Sequence, residues 1–145
     1  MRFVDTNVLL YAISGDPSER EKAAVADKLL QASDLALSVQ VLQEFYVQAT
    51  RTSRVARLSA DEAVALVETW LRFPVQEMSV SVLRAALAAS QRFQLSYWDA
   101  AIIESARELG CKEVFSEDLS AAQSYDGIRV VNPFSAKRPK SNGTR

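Results

Sequence analysis

The sequence predicts an α/β fold in which a mainly parallel sheet of short strands is flanked by helices. Short apolar segments of strand length alternate along the chain with longer segments that have helical periodicity. This alternation is typical of strands joined by helical crossovers, which build parallel sheets. The active crevice of such a fold is expected at the carboxyl ends of the strands.

The individual elements follow from apolar spacing and from residues that start or stop helices. The predicted strands cover residues 2–5, 34–38, 75–78, 113–115 and 129–131. The predicted helices cover residues 8–13, 17–31, 39–49, 60–73, 80–93 and 96–109. Pro17 favours a helix start, Ser59 and Glu62 form a capping box, and Gly110 favours a helix end.

The length of 145 residues fits one domain, which we expect to span residues 1–136. Residues 137–145 contain four basic residues and no acidic one, and this composition predicts a disordered tail. No apolar segment approaches the roughly 20 residues that span a bilayer, and the amino terminus lacks the pattern of an export signal. We therefore expect a cytoplasmic protein without a membrane span.

Histidine is absent and Cys111 is the lone cysteine. These two facts exclude zinc sites built from Cys and His, an internal disulfide, and catalysis by Ser-His-Asp or Cys-His pairs. Acid and base chemistry would have to come from carboxylates, lysines, tyrosines or water on a metal ion. Residues 1–136 carry 13 basic and 18 acidic groups, a net charge of −5, so a broad basic surface for nucleic acid is not evident.

Asp5 and Asp118 each follow a predicted strand, at the sheet edge where α/β proteins commonly bind ligands. Both also have a purely structural explanation. Asp5 is equally suited to cap the helix after it, and Ser116, Glu117 and Asp118 are equally suited to cap a helix at Leu119.

Glu44 and Asp99 lie within predicted helices. Glu44 is one turn from Val41 and Val47 in a largely apolar helix, where a charge is costly unless it is paired or solvated at an edge. Asp99 is expected to face the core on the same side as Ile102, but the spacing of Ser96 and Asp99 also matches a capping box.

The placement of these four acids is compatible with one crevice. Carboxylates without cationic neighbours repel each other, and a hard divalent cation such as Mg²⁺ or Mn²⁺ relieves that repulsion. Four acids in one crevice would therefore predict a metal site that acts on phosphate.

Four short strings surround these acids: FVDTNVLLY at Asp5, VLQEFY at Glu44, SYWDAAII at Asp99 and FSEDL at Asp118. Their order, their separations of 39, 55 and 19 residues and the closing VVNPF resemble the PIN-domain family, especially VapC-type toxins of bacterial toxin-antitoxin pairs. The resemblance covers nearly the whole predicted domain. It implies a three-layer PIN-like fold and metal-dependent hydrolysis of RNA.

By this resemblance, Asp5, Glu44, Asp99 and Asp118 are expected to hold the metal and carry catalysis. Thr6, Asn7 and Ser116 are expected to be polar neighbours at the same site. Glu117 adjoins Asp118 and is an alternative that would act through water, although we rank Asp118 first. The family also implies a homodimer and an antitoxin that masks the crevice, with an arginine plug as one physically sensible means.

The expected RNA contacts rest on few residues. Arg51, Arg54 and Arg57 follow the Glu44 helix and are suited to bind phosphates, although an exposed loop explains them equally well. Tyr97 and Trp98 adjoin Asp99 and are suited either to stack on an unpaired base or to join the core or an interface.

Three other functions agree less well with the sequence. A phosphoryl-accepting signalling domain would need a lysine at the end of a strand, whereas Lys112 precedes its strand. An inactive PIN-like binding module conflicts with the intact set of four acids. A nuclease that cuts DNA is the alternative nearest to the expected one, because no residue in the sequence visibly selects a 2′-hydroxyl.

Overall fold

Five short parallel strands form the centre of the fold in the computed structural model, which describes residues 1–121 and 123–135. The strands are β1 (Arg2–Val4), β2 (Leu35–Ser38), β3 (Val75–Gln76), β4 (Glu113–Phe115) and β5 (Arg129–Val131). Their order in the sheet is β3-β2-β1-β4-β5, and the four pairings between them are parallel. The predicted tail at residues 137–145 lies outside the described residues.

Six α-helices flank this sheet: α1 (Thr6–Ala12), α2 (Arg20–Leu29), α3 (Val39–Ala49), α4 (Ala60–Trp70), α5 (Val80–Phe93) and α6 (Tyr97–Glu108). A 3₁₀ turn at Pro17–Glu19 precedes α2. The predicted α/β class with a parallel, helix-flanked sheet is confirmed. Within the described residues, no helix is long and apolar enough to cross a membrane.

The sheet reverses its direction of growth beside β1. The chain adds β2 and then β3 on one side of β1, and later adds β4 and β5 on the other side. Helices that connect parallel strands must then diverge at the boundary between β1 and β4, which leaves a crevice at the carboxyl ends of these two strands. Asp5 directly follows β1 and Ser116 directly follows β4, so both lie at this crevice.

The strands are apolar because helices cover the sheet. All four residues of β2 are buried, as are Phe3, Val4 and Val114 in the two strands beside the crevice. Parallel strands that are buried on both faces have this nearly continuous apolar character. The burial fixes where the strands end, and therefore where the polar residues that follow them are placed.

Several predicted boundaries were wrong by a few residues. Helix α1 begins at Thr6 and not at Val8, because the Asp5 carboxylate accepts a hydrogen bond from the backbone N–H of Thr6 and starts the helix there. Helix α4 ends at Trp70, before Pro74, and Phe73 closes the turn through its N–H. The alternative in which Asp118 caps a helix is not supported, because residues 117–121 form no helix.

Candidate active site

Asp5 lies at the carboxyl end of β1 and is only 7% exposed. Its Oδ1 accepts from the Thr6 N–H at 2.7 Å, and its Oδ2 accepts from the Ser116 hydroxyl at 2.8 Å. Burial raises the pKa of Asp5 to about 6, against the two hydrogen bonds, which lower it, and the negative charges of Glu44 and Asp118 raise it further. Asp5 therefore caps α1 and also presents a carboxylate whose charge is costly at this position.

Ser116 fixes the chain where it leaves β4. The side chain is fully buried, and its oxygen accepts from the N–H groups of Asp118 at 3.1 Å and Leu119 at 3.2 Å. These bonds satisfy the backbone of a tight turn that would otherwise have unpaired donors. Asp118 is thereby turned toward α1, where its Oδ2 accepts from the Asn7 amide at 3.2 Å.

Glu44 lies in the middle of α3, on the side that faces α1. Its two carboxylate oxygens accept from the Thr6 hydroxyl at 3.0 Å and from the Gln40 amide at 3.1 Å. The side chain is half-buried, between a fully buried Val41 and a Val47 that is 58% exposed. The expected cost of a charge in this helix is thus met by two neutral hydrogen-bond donors and partial solvation.

Asp99 lies in the first turn of α6, where Ser96 caps the helix by accepting from the Asp99 N–H at 3.1 Å. The Asp99 side chain is half-buried and lines the crevice together with Ile102, the residue with which it was expected to share a helical face. Burial raises the pKa of Asp99, and the charges of Asp118 and Glu44 add to this.

One pocket of about 170 Å³ brings the four acids together. It is lined by Asp5, Thr6, Asn7, Leu10, Gln40, Glu44, Gln48, Trp98, Asp99, Ile102 and Asp118. None of the four carboxylates forms an ion pair with a lysine or arginine among the described residues. The pocket is therefore a concentration of negative charge without a cation from the described chain.

The donor set of this pocket fits a hard divalent cation in part. Carboxylate, hydroxyl and amide oxygens are the ligands that Mg²⁺ and Mn²⁺ prefer, and a cation would favour the ionised form of Asp5, whose pKa is raised mainly by burial. Among the described residues, however, no three acidic side chains are gathered closely enough to enclose an ion. The pocket therefore suits Mg²⁺ bound in the way that is usual in proteins, by one or two carboxylates and several waters.

Glu117 belongs to a different cluster from Asp118. Its carboxylate accepts from the Tyr11 hydroxyl at 2.5 Å and pairs with the Lys22 ammonium at 2.6 Å. Burial raises the pKa of Glu117, but the hydrogen bonds from Lys22 and Tyr11 and the positive charge of Lys22 more than offset this and hold the pKa below its usual value. Glu117 does not line the pocket, so the geometry favours Asp118.

The three arginines after α3 also separate. Arg54 donates to the carbonyl of Leu10 at 3.1 Å, and Arg57 donates to the carbonyl of Thr50 at 3.2 Å. Arg51 instead lines a cleft that adjoins the pocket and shares Glu44 with it. Of the three arginines, Arg51 is the one that lines this cleft.

Gln40 lines the site, although the sequence did not single it out. Its amide nitrogen donates to Glu44 and to the backbone carbonyl of Trp98 at 3.2 Å, so it ties α3 to the start of α6. The residue is 5% exposed, and its Oε1 has no hydrogen-bond partner among the described residues. The available signal in the sequence was an amide side chain one turn before Glu44, on the same face of a largely apolar helix.

Comparison with known proteins places this geometry in a family. The family model for the PIN domain matches residues 2–125. Comparison with curated protein sequences gives no significant match. Solved structures with sequence identities of 19–22% share the fold of this chain.

Three of these structures cover most of both chains. VapC20 of Mycobacterium tuberculosis, described as a toxin that cleaves the sarcin-ricin loop, is 22% identical over 84% of this chain and 95% of its own, with a TM-score of 0.65. A toxin-antitoxin complex from Klebsiella pneumoniae has 21% identity, coverage of 94% and 100%, and a TM-score of 0.68. DNA-bound VapBC from Salmonella typhimurium has 19% identity, coverage of 91% and 97%, and a TM-score of 0.63.

The family match covers most of the chain, and the three solved structures share its fold. The chain belongs to the PIN-domain family.

Proposed function

We propose that this chain is a divalent-metal-dependent endoribonuclease that hydrolyses phosphodiester bonds in RNA. It acts in the cytoplasm as the toxin of a toxin-antitoxin pair and inhibits growth or translation when its antitoxin releases it. The observation that carries the proposal is the pocket in which Asp5, Glu44, Asp99 and Asp118 meet without a basic partner among the described residues. Membership of the PIN-domain family supports it.

The four carboxylates are the proposed catalytic groups, and one or two of them would hold the cation directly while the others act on it through its waters. When bound, a divalent cation supplies Lewis-acid chemistry, activating water as a nucleophile and offsetting charge that develops on the phosphate. The residues of the chain hold the carboxylates in place for this task. Ser116 orients Asp5, Asn7 orients Asp118, and Thr6 joins Gln40 in orienting Glu44.

Proton transfer from the attacking water is assigned to a carboxylate, since the chain contains no histidine. Glu44 and Asp118 are the candidates, because each accepts only neutral hydrogen-bond donors and lines the pocket. Asp5 is the more suitable metal ligand. Both of its oxygens are fixed by Thr6 and Ser116, and a cation would relieve the unfavourable charge that burial imposes on it.

The proposed partners are an antitoxin protein and a second copy of the chain. Toxin-antitoxin complexes are among the structures that share the fold, which supports an antitoxin partner. An acidic pocket is complementary to an arginine side chain, which binds carboxylates through paired charge-assisted hydrogen bonds. An antitoxin that inserts such a side chain would exclude both the metal and the RNA. The proposed catalytic unit is residues 1–136.

The test is cleavage of mixed cellular RNA and of single-stranded DNA by antitoxin-free protein in Mg²⁺, in Mn²⁺ and in EDTA. The expected result is RNA cleavage that requires metal and is lost in Asp5→Asn and Asp99→Asn. Glu108→Gln removes an exposed acid from the same helix as Asp99 and is expected to cleave like the parent. Cleavage of DNA alone would favour the DNA nuclease, and no cleavage of either by folded protein would contradict the proposal.

A further inference from the structure

A cleft of about 510 Å³ lies directly beside the acidic pocket. One wall is a face of α3, and the other is Trp98 at the start of α6. The cleft and the acidic pocket share Gln40, Glu44, Gln48 and Trp98. A bound RNA strand could therefore occupy both at once. Its volume falls within the range of about 300–1,000 Å³ that is usual for small-molecule sites.

We propose that this cleft binds one unpaired nucleotide of the RNA substrate, with its base stacked on Trp98 and its phosphate held by Arg51. The inference rests on the proposed function, because it names the form of RNA that the acidic pocket receives. It predicts that single-stranded RNA is the preferred substrate. An unpaired base next to the cleaved bond would then be a requirement for tight binding.

Trp98 is the first observation in support. Its side chain is 61% exposed, although exposure of a large aromatic ring to water is unfavourable. It lies next to Asp99, and both residues line the acidic pocket. Tyr97 packs against it in a T-shaped arrangement, with ring centroids 5.0 Å apart and planes at 79°. Gln40 fixes its backbone by donating to the Trp98 carbonyl at 3.2 Å. The ring is thus anchored but open, which suits a stacking platform.

The opposite wall is the second observation. The cleft residues of α3 and its end are Gln40, Gln43, Glu44, Val47, Gln48 and Arg51, a spacing of three and four that places them on one helical face. Gln43 and Gln48 carry amides that both donate and accept hydrogen bonds, as the edges of bases do. An apolar surface for protein docking would have a different composition, and such a surface is present on the neighbouring face with Leu42, Val64 and Leu71.

Arg51 is the third observation. It is exposed and forms no ion pair among the described residues, whereas Arg54 and Arg57 bond to backbone carbonyls. A guanidinium at the end of the cleft is therefore available for a phosphate. The contact matters more here than in a basic protein, because residues 1–136 carry a net charge of −5. Stacking supplies affinity that does not depend on charge.

The experiment measures binding of a labelled single-stranded RNA hexamer by anisotropy, in an Asp5→Asn background that prevents cleavage and in the presence of Mg²⁺. Trp98→Ala is expected to weaken binding about tenfold, and Trp98→Phe to retain most of it. Arg51→Ala is expected to weaken binding and to reduce its dependence on salt. Leu87→Ala and Arg84→Ala change an exposed apolar residue and an exposed arginine on α5 and are the matched controls.

A set of hexamers with one abasic nucleotide at each position tests stacking itself. At one position, the abasic nucleotide is expected to weaken binding to the parent but not to Trp98→Ala, because the missing base and the Trp98 ring take part in the same stacking interaction. Equal losses for both proteins at every position would overturn the inference. So would unchanged RNA binding by Trp98→Ala combined with loss of self-association or of antitoxin binding, which would make Trp98 a protein interface.

Cleavage by the same variants without the Asp5→Asn change separates the two proposals. If the parent cleaves RNA but Trp98→Ala binds and cleaves equally well, the nucleotide site is wrong and the nuclease stands. If the parent binds RNA through Trp98 but never cleaves it, the nucleotide site stands and the nuclease is wrong. Trp70 is buried at 6% exposure, so its fluorescence reports whether each variant is folded.

Discussion

The Ser116 hydroxyl donates a 2.8 Å hydrogen bond to the Oδ2 of Asp5, although the two residues are 111 positions apart. The bond joins the ends of β1 and β4, the two strands between which the sheet reverses its direction of growth. Ser116 also accepts from the N–H groups of Asp118 and Leu119. A single buried hydroxyl thus holds two of the four acids in position.

Ser116→Ala is expected to lower the free energy of unfolding by about 1–3 kcal/mol, because it leaves buried polar groups unpaired. It should also raise the pKa of Asp5 above about 6, since the lost bond favours the charged carboxylate. Urea denaturation and carboxyl-carbon NMR of metal-free protein measure the two effects. Ser105→Ala is the control, because the Ser105 hydroxyl is buried without a partner among the described residues and its loss should be nearly neutral. Equal costs for the two variants would contradict this role.

Asp5→Asn is expected to stabilise the metal-free protein at pH 7. The pKa of Asp5 is raised in the folded state, from 3.8 to about 6, so its contribution to stability is complete below pH 4 and is lost as pH rises through 6. The shift corresponds to a penalty on the order of 3 kcal/mol for the ionised form. Asparagine retains a capping oxygen without this penalty, but its amide nitrogen cannot accept the hydrogen bond from the Ser116 hydroxyl, a loss of about 1–3 kcal/mol that reduces the net gain at pH 7.

The measurement is denaturant unfolding in EDTA from pH 4 to pH 8. Asp5→Asn should be less stable than the parent at pH 4, where the lost Ser116 hydrogen bond dominates, and its stability relative to the parent should rise toward pH 7. Glu108→Gln controls for the removal of one negative charge from an exposed position. A gain that is independent of pH would show that ionisation of Asp5 is not its cause.

The sequence was sufficient to predict the sheet, because buried parallel strands are nearly uniform in apolar character. The residues of β2 and β4 show this, and the acids that follow strands were located for the same reason. It was less informative at helix ends. Thr6 and Asn7 appeared to interrupt the chain between β1 and a helix, but the carboxylate of Asp5 makes them the first turn of α1.

Residue contacts between distant segments were beyond the sequence. Glu117 and Asp118 are adjacent and chemically similar, and only the positions of Tyr11 and Lys22 in space separate their roles. Arg54 likewise cannot be distinguished from Arg51 until the Leu10 carbonyl is found next to it. The apolar periodicity of a segment shows which face of one helix or strand is buried. It does not show which residues of another helix or strand that face contacts.

Asp118→Asn and Glu117→Gln are expected to differ in activity despite their adjacency. Asp118 lines the pocket, whereas Glu117 is held by Tyr11 and Lys22 outside it. Asp118→Asn should reduce RNA cleavage by at least about a hundredfold, in the range of lost general-base catalysis. Glu117→Gln should stay within a few-fold of the parent and lose a little stability, since the ion pair with Lys22 is partly exposed.

Initial rates of RNA cleavage at saturating Mg²⁺, together with thermal melting, provide the comparison. Lys22→Met removes the same ion pair from its other side and is expected to behave like Glu117→Gln. A large loss of activity in Glu117→Gln with normal activity in Lys22→Met would assign Glu117 to the reaction itself.

Gln40→Met is expected to separate stability from activity. An apolar side chain of similar length removes the buried Gln40 Oε1, which has no partner among the described residues, and this gain offsets the two hydrogen bonds that the amide nitrogen donates, so the free energy of unfolding should change little. The same change removes the amide that donates to Glu44 and to the Trp98 carbonyl, so both groups lose a restraint. RNA cleavage should therefore fall about tenfold or more, as is typical when a supporting hydrogen bond to a metal-site group is removed.

Chemical denaturation and cleavage rates are measured on the same preparation, with Gln91→Met on the exposed face of α5 as the control. A matched loss of stability and activity would mean that Gln40 serves the fold alone, because an orienting residue affects the reaction without weakening the folded state.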